Sequence, residues 1–158
     1  MAGLGELDQP RVVRDALDHW PAVHWAKESD QHLVDYLKGY EQGRSLLFYA
    51  APPDAGGAIG YREDYSGFSF TPDYAPLPEL ADRMLEARRG KDPTLYIGST
   101  PVDQYLPGFR EDNDIDLAGL KPRISFWLGT ACNIAAHYDC PHNLACCVAG
   151  RRQFILFE

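Results

Sequence analysis

The sequence predicts an α+β domain with a mainly β core and helices flanking it in the N-terminal part. Three observations carry this. Amphipathic stretches at helical spacing fall early, near residues 30–38 and 78–89. Short apolar or alternating runs bounded by Gly, Pro and Asn crowd together after Pro122. No internal repeat, low-complexity tract or linker interrupts the 158 residues, a length that supports one domain with its own core. One domain over 1–158 is expected, with helices and strands in 1–121 and the first core strands in 122–158.

Taken in order, Pro10-Arg11-Val12-Val13-Arg14 predicts a short edge strand, since Pro is tolerated at a strand's start. His19-Trp20-Pro21-Ala22-Val23 predicts a turn, because the residue before Pro avoids helix. Asp30 is placed to cap a helix over Gln31 to Lys38, with Leu33, Tyr36 and Leu37 on one face and Gly39 ending it. Ser45 to Ala50 reads as a strand and Pro52 to Gly60 as a loop. Tyr65 to Phe70 alternates aromatic with small or polar residues, which predicts a strand. Pro78 to Arg89 predicts a helix with Leu80, Met84 and Leu85 on its apolar side, stopped at Gly90. Thr94 to Gly98 reads as a strand, and Tyr105 to Leu120 as an acidic loop. Four strands are then expected: Arg123 to Leu128, Ala135 to Asp139, Leu144 to Ala149 and Gln153 to Phe157. Ala149-Gly150-Arg151-Arg152 would turn the chain between the last two.

A formal net charge of −8 opposes nonspecific binding of nucleic acid, which needs clustered Lys and Arg. It is compatible with a basic peptide partner. No apolar run is long enough to span a bilayer, and the polar, acidic stretch Met1 to Pro10 is no secretory signal. The expected location is the cytoplasm. Cys132, Cys140, Cys146 and Cys147 cluster near the end of the chain, unlike a disulfide framework. Buried reduced thiols on strands are the expectation. Zinc is the rival, and it is disfavoured because no Cys-x-x-Cys pair is present and neighbours on a strand face opposite ways.

The chemistry concentrates at His137-Tyr138-Asp139. Residues two apart on a strand share a face, so His137 and Asp139 would present an imidazole and a carboxylate side by side. Those donors suit a divalent transition metal, and one further His would complete the two-histidine, one-carboxylate face of a non-haem iron site. A surface His beside a solvated Asp is the plain alternative. The surroundings favour the metal: Phe126-Trp127-Leu128-Gly129-Thr130 precedes the pair, and Asn143-Leu144 and Gly150-Arg151-Arg152-Gln153-Phe154-Ile155-Leu156-Phe157 follow it.

These motifs resemble the cupin-like JmjC family of 2-oxoglutarate-dependent oxygenases, with Trp-x-Gly, His-x-Asp, Asn and Gly-x-Lys-x-Phe-x-Leu-Phe in the same order. Gln9-Pro10-Arg11-Val12-Val13 and Asp18-His19-Trp20-Pro21-Ala22-Val23 are similar to the family's N-terminal opening, so the resemblance covers most of the chain. It implies a cupin fold, the double-stranded β-helix or jelly roll. It implies that His137 and Asp139 are metal ligands for Fe(II), with 2-oxoglutarate and molecular oxygen as cosubstrates. Arg152 stands where the family usually has Lys to pair with the distal carboxylate of 2-oxoglutarate. Arg keeps the charge and can bind a carboxylate with two parallel hydrogen bonds; a solvated turn residue is its other reading. Tyr96 resembles a tyrosine that hydrogen-bonds the same carboxylate, against ordinary strand packing. Asn143 resembles an asparagine close to metal and cosubstrate, against a turn residue after Pro141. Ile134 stands where some members carry a Thr that helps hold the cosubstrate. His142 reads as a loop histidine, and His19, His24 and His32 as structural or exposed.

The resemblance implies a dioxygenase, a hydroxylase of a protein or small-molecule substrate, with demethylation at an N-methyl group chemically equivalent. The distal His and the closing strands of the family come after the segment that ends at Glu158, so the chain reads as a fragment or as a truncated, inactive remnant. Two rivals stand beside the hydroxylase: a non-catalytic cupin-like binding module, and a cupin metalloenzyme that does not use 2-oxoglutarate. Nucleic acid and membrane partners are not expected, and an oligomer is left open.

Overall fold

The structure, a computed structural model, describes residues 9–87, 92–117 and 119–157. It is an α+β fold with a predominantly antiparallel sheet and, among the described residues, five helices. Helix α1 spans Pro21–Glu28 and α2 Asp30–Lys38. Strand β1 (Ser45–Ala51) leads through a short 3-10 turn to β2 (Ala58–Ile59) and β3 (Thr71–Pro76). Helix α3 (Leu77–Ala87), β4 (Thr94–Pro101) and the short helices α4 (Val102–Tyr105) and α5 (Phe109–Asp112) follow. Strands β5 (Ser125–Gly129) and β6 (Asn133–Ile134) come last.

The main sheet runs β3-β1-β4-β5, every neighbour antiparallel, while β2 and β6 form a separate parallel pair. Alternation along the strands divides the sheet into two faces. Leu46 and Phe48 of β1 and Leu95 and Ile97 of β4 point to one side, where they pack with Leu77, Leu80 and Met84 of α3 and with Val102 and Leu106. Tyr49, Tyr96 and Gly129 lie in register across β1, β4 and β5 on the other side. This second face is the one turned to the C-terminal segment. Asn113 ties the small helices together from a buried position. It donates to Tyr36 Oη at 2.8 Å and to Phe109 O at 3.0 Å, and its Oδ1 accepts from Ala22 N at 2.9 Å.

Several elements differ from the sequence reading. Pro10 to Arg14 forms no strand; among the described residues none pairs with it, and Val12 is exposed. Pro21 starts a helix rather than a turn. Trp20 before it is extended, as a residue preceding Pro should be, but Pro at the first helical position loses only an N–H that the helix leaves free. Ser29, not Asp30, caps α2: its side chain accepts from His32 N at 3.0 Å. Tyr65 to Phe70 is the far side of a chain reversal. Tyr65 has φ +56°, Arg62 N donates to Gly67 O at 2.9 Å, and the true strand begins at Thr71. The acidic loop after Tyr105 contains a helical turn, α5. The expected helix stop at Gly90 lies outside the described residues.

The largest difference is in the C-terminal segment. Beyond Ile134 neither Ala135 to Asp139, Leu144 to Ala149 nor Gln153 to Phe157 pairs with another strand among the described residues. A strand is an extended segment whose N–H and C=O groups meet a neighbour's; apolar alternation alone does not supply that neighbour. The cysteines follow suit. All four are free, Cys132 and Cys146 half-buried, Cys140 and Cys147 exposed, and none sits in a strand, so the expectation of buried thiols on strands does not hold.

Candidate functional site

The parallel pairing of β2 with β6 sets the position of the His-x-Asp segment. Asn133 N donates to Gly57 O at 2.9 Å and Ala135 N to Ile59 O at 3.1 Å. Gly60 permits the close approach: a Cβ there would stand 2.7 Å from Ala135 Cβ. Ala135, held this way, orients the first candidate ligand. His137 Nδ1 lies 2.8 Å from Ala135 O. A carbonyl can only accept, so Nδ1 carries the proton and the Nε2 lone pair of the neutral ring is left free.

That Nε2 lies 3.8 Å from Asp139 Oδ2, both side chains being more than half exposed. Asn143 Nδ2 donates to Asp139 Oδ2 at 2.9 Å and so restrains the carboxylate. The donors fit a divalent cation. Two ligands at about 2.1 Å on adjacent corners of an octahedron stand about 3 Å apart, so the pair closes on a cation by less than about 1 Å. The structure thus brings together His137, Asp139 and Asn143. It does not bring His142 into the group, and no cluster of three or more His, Cys, Asp or Glu donors suited to a metal forms among the described residues. His24 and His32 flank exposed Trp25, and exposed His19 sits 3.4 Å from Asp114 O.

Arg152 and Tyr96 form a second grouping. The Arg152 guanidinium lies over two rings, 5.7 Å from the centroid of Trp127 and 5.3 Å from that of Phe154. A guanidinium attracted by ring faces keeps N–H donors that can serve a carboxylate. Among the described residues no carboxylate pairs with it. Tyr96 is half-buried at the centre of the sheet's second face. Its ring is confined by two glycines: a Cβ at Gly98 would come 2.9 Å from Tyr96 Cε1, and one at Gly129 would come 3.3 Å from Cδ2 and 2.8 Å from Leu95 O. Burial pushes the Tyr96 phenol above its usual range, more than the nearby Arg152 charge pulls it down. At neutral pH it is a protonated phenol, as an unperturbed tyrosine also is, and can donate. Burial likewise raises the Cys132 thiol, against the opposing pull of Arg152, and raises Cys146.

Ile134 lies in β6 opposite Ile59, and it brings no hydroxyl to the site. The residues that support the candidate site and were not singled out from sequence are Trp127, Phe154, Gly98, Gly129 and Ala135. Phe154 had a signal, since it is two residues from Arg152. Trp127 and Gly129 stood in the Trp-x-Gly motif with no role assigned to them, and Gly98 had no signal, because their role depends on strand register and on the chain folding back over β5.

Comparison with known proteins gives two findings. The signature of the cupin-like domain family matches residues 5–158. A Jumonji C domain-containing protein 5 of Drosophila melanogaster is 25% identical over 168 residues, which covers 96% of this chain and 36% of the relative. The chain therefore spans well under half the length of that relative. No solved structure matches the chain.

Proposed function

The chain belongs to the cupin-like domain family, and from that premise we propose that it carries the metal-binding segment of an Fe(II)- and 2-oxoglutarate-dependent dioxygenase, a hydroxylase of a protein or small-molecule substrate. The antiparallel sheet fits the jelly roll of that family, and likeness to a Jumonji C domain-containing protein points to oxygenase-type chemistry. The observation that carries the finer reading is the His137–Asp139 pair, with the His tautomer set by Ala135 O and the carboxylate restrained by Asn143.

In this reading His137 Nε2 and the Asp139 carboxylate hold Fe(II). Arg152 pairs with the distal carboxylate of 2-oxoglutarate, its guanidinium kept in place by the Trp127 and Phe154 rings. Tyr96, a neutral phenol at physiological pH, donates to the same carboxylate. Asn143 acts on the metal side, through Asp139. Bound Fe(II), with 2-oxoglutarate and oxygen, supplies the oxidising power that hydroxylates a C–H bond as the cosubstrate becomes succinate and carbon dioxide. The protein's share is the geometry of the donors. Among the described residues no helix is long and apolar enough to cross a membrane.

The test is succinate formation by the purified protein with Fe(II), 2-oxoglutarate and oxygen, together with Mn(II) binding followed by electron paramagnetic resonance. Succinate that requires both additions, and loss of Mn(II) binding in His137→Ala, are the expected results. Mn(II) binding without succinate would move the protein to a metalloenzyme or binding module of another kind. Loss of neither would end the iron-site reading.

A further inference from the structure

We propose that an unbroken run of six aromatic rings, from Tyr96 to Tyr65, is a conduit that carries oxidising equivalents from the candidate cosubstrate region to the protein surface. Oxidising power not spent on a substrate would be discharged at solvent-exposed tyrosine, which spares the donors His137 and Asp139. The inference rests on the oxygenase reading only for the source of the oxidant.

Tyr96 stacks with Tyr49 at 6.4 Å between centroids, and Tyr49 meets Phe70 at 4.8 Å. Phe70 stacks on Phe68 at 5.0 Å, Phe68 meets Tyr61 at 5.4 Å, and Tyr61 meets Tyr65 at 6.4 Å. Every step lies within the range of direct ring contact. Packing accounts for the inner rings but not for the outer ones. Tyr61 is 61% exposed and Tyr65 82%, so little apolar area leaves water there. Tyr65 also has φ +56°, a backbone region that bulky side chains rarely adopt, and no core contact compensates for it.

Residue type fits the task. A phenol gives up one electron to a strong oxidant and becomes a neutral radical once its proton leaves. Phenylalanine is not oxidised; Phe70 and Phe68 bridge Tyr49 to Tyr61 with ring contacts through which the electron tunnels. Direction is set by where the proton can go. Among the described residues the half-buried hydroxyls of Tyr96 and Tyr49 have no hydrogen-bond acceptor, so an oxidised phenol there has no base to receive its proton. At Tyr61 and Tyr65 water receives it. The radical therefore settles at the outer end of the run.

A one-electron oxidant at the metal site gains one electron, Tyr61 or Tyr65 loses one, and the phenolic proton passes to water. A thiol or other hydrogen-atom donor in solution then returns the phenoxyl radical to tyrosine. The inner end also has an entry point that needs no metal. Trp127 lies two residues before Gly129, which is paired with Tyr96, so it stands on the same face of the sheet. An indole is oxidised as readily as a phenol, and a hole placed on Trp127 is a hole placed beside the start of the run.

The experiment is pulse radiolysis of the purified protein, free of metal and 2-oxoglutarate, in azide solution, where azidyl radicals oxidise accessible tryptophan first. Trp20 is buried, so in a Trp25→Phe background Trp127 is the accessible indole. The expected result is conversion of the indolyl radical into a phenoxyl radical, at a rate independent of protein concentration. A nitroso spin trap with peptide mapping should find that radical on Tyr61 or Tyr65. Tyr49→Phe should abolish the conversion, as should Tyr61→Phe combined with Tyr65→Phe. Tyr74→Phe combined with Tyr138→Phe, which removes the other exposed tyrosines among the described residues, should leave it unchanged. These substitutions keep the rings and so the packing; should one misfold, the trapped position in the Trp25→Phe protein carries the test. Conversion that survives Tyr49→Phe, trapping at Tyr74 or Tyr138 instead, or no conversion would each overturn the proposal. Because no metal or cosubstrate is present, failure of the oxygenase reading leaves this result standing, and the two failures remain distinguishable.

Discussion

Two apolar stretches of this chain meet opposite fates. Leu46 and Phe48 in β1 are each 1% exposed, locked between α3 and β4, whereas Ile155 and Phe157 near the end of the described chain are 70% and 78% exposed. Their sequences look alike, Ser45-Leu46-Leu47-Phe48-Tyr49 against Gln153-Phe154-Ile155-Leu156-Phe157. What separates them is partners. β1 has β3 on one side and β4 on the other, while residues 153–157 have no paired strand among the described residues. Apolar alternation states a capacity to pair and to bury; a neighbour converts it into stability. The stretch that buries the core and the stretch that carries the His137–Asp139 pair are thus different parts of the chain.

The largest expected effect follows directly. Phe48→Ala should cost about 3–5 kcal/mol of unfolding free energy, since it removes the largest fully buried side chain of the core. Ile155→Ala should cost no more than about 0.5 kcal/mol. Urea titrations of the two variants measure this, and an equal loss at both positions would mean that the C-terminal segment packs as tightly as the sheet.

A smaller effect should have the opposite distribution. Asn143→Ala leaves Asp139 without its 2.9 Å restraint and should weaken Mn(II) binding roughly 10–100-fold, the usual scale for a residue that orients a ligand. The melting temperature should hardly move, because the side chain is exposed. A drop in melting temperature with unchanged metal affinity would assign Asn143 to the fold rather than to the site.

The smallest effect is at alkaline pH and belongs to the stabilising region alone. The Tyr40 phenol is raised above the usual range, first by burial, then by its hydrogen bond to Tyr36 and by the Asp112 carboxylate. An unfolded tyrosine loses its proton near about pH 10. Above that pH the folded state keeps a proton that the unfolded state has released, so stability falls as pH rises. Urea midpoints measured through this range should decline, and Tyr40→Phe should decline less steeply. An identical slope in the variant would remove Tyr40 as a cause.

Much of the fold was legible because it depends on local rules. The spacing of Leu33 and Leu37, the Gly39 stop, the apolar side of α3 and the strands around Phe48 and Ile97 all stand as the residues indicated. The errors share one cause. At Tyr65 to Phe70 and from Ala135 onward, a pattern compatible with a strand was read as a strand, and pairing decided otherwise. Part of the candidate site rests on the same local reading. His137, Asp139 and Asn143 were singled out by residue type and order, and the structure draws the three together. The two-ring seat of Arg152 and the two-glycine frame of Tyr96 were not foreseen, because each joins side chains from elements distant in sequence.

By itself, then, the sequence determined the fold class, the acidic charge, and which donors and cations stand near the His-x-Asp segment. These follow from residue type and from spacing along one stretch of chain. Tertiary structure alone decided which apolar runs become buried strands, which His nitrogen is left free, and which rings frame Arg152 and Tyr96. The buried strands and the ring frames depend on a second segment arriving within a few ångströms, because hydrogen bonding and burial are properties of pairs; the free His nitrogen follows from Ala135 O, two residues away, once β2 and β6 have paired.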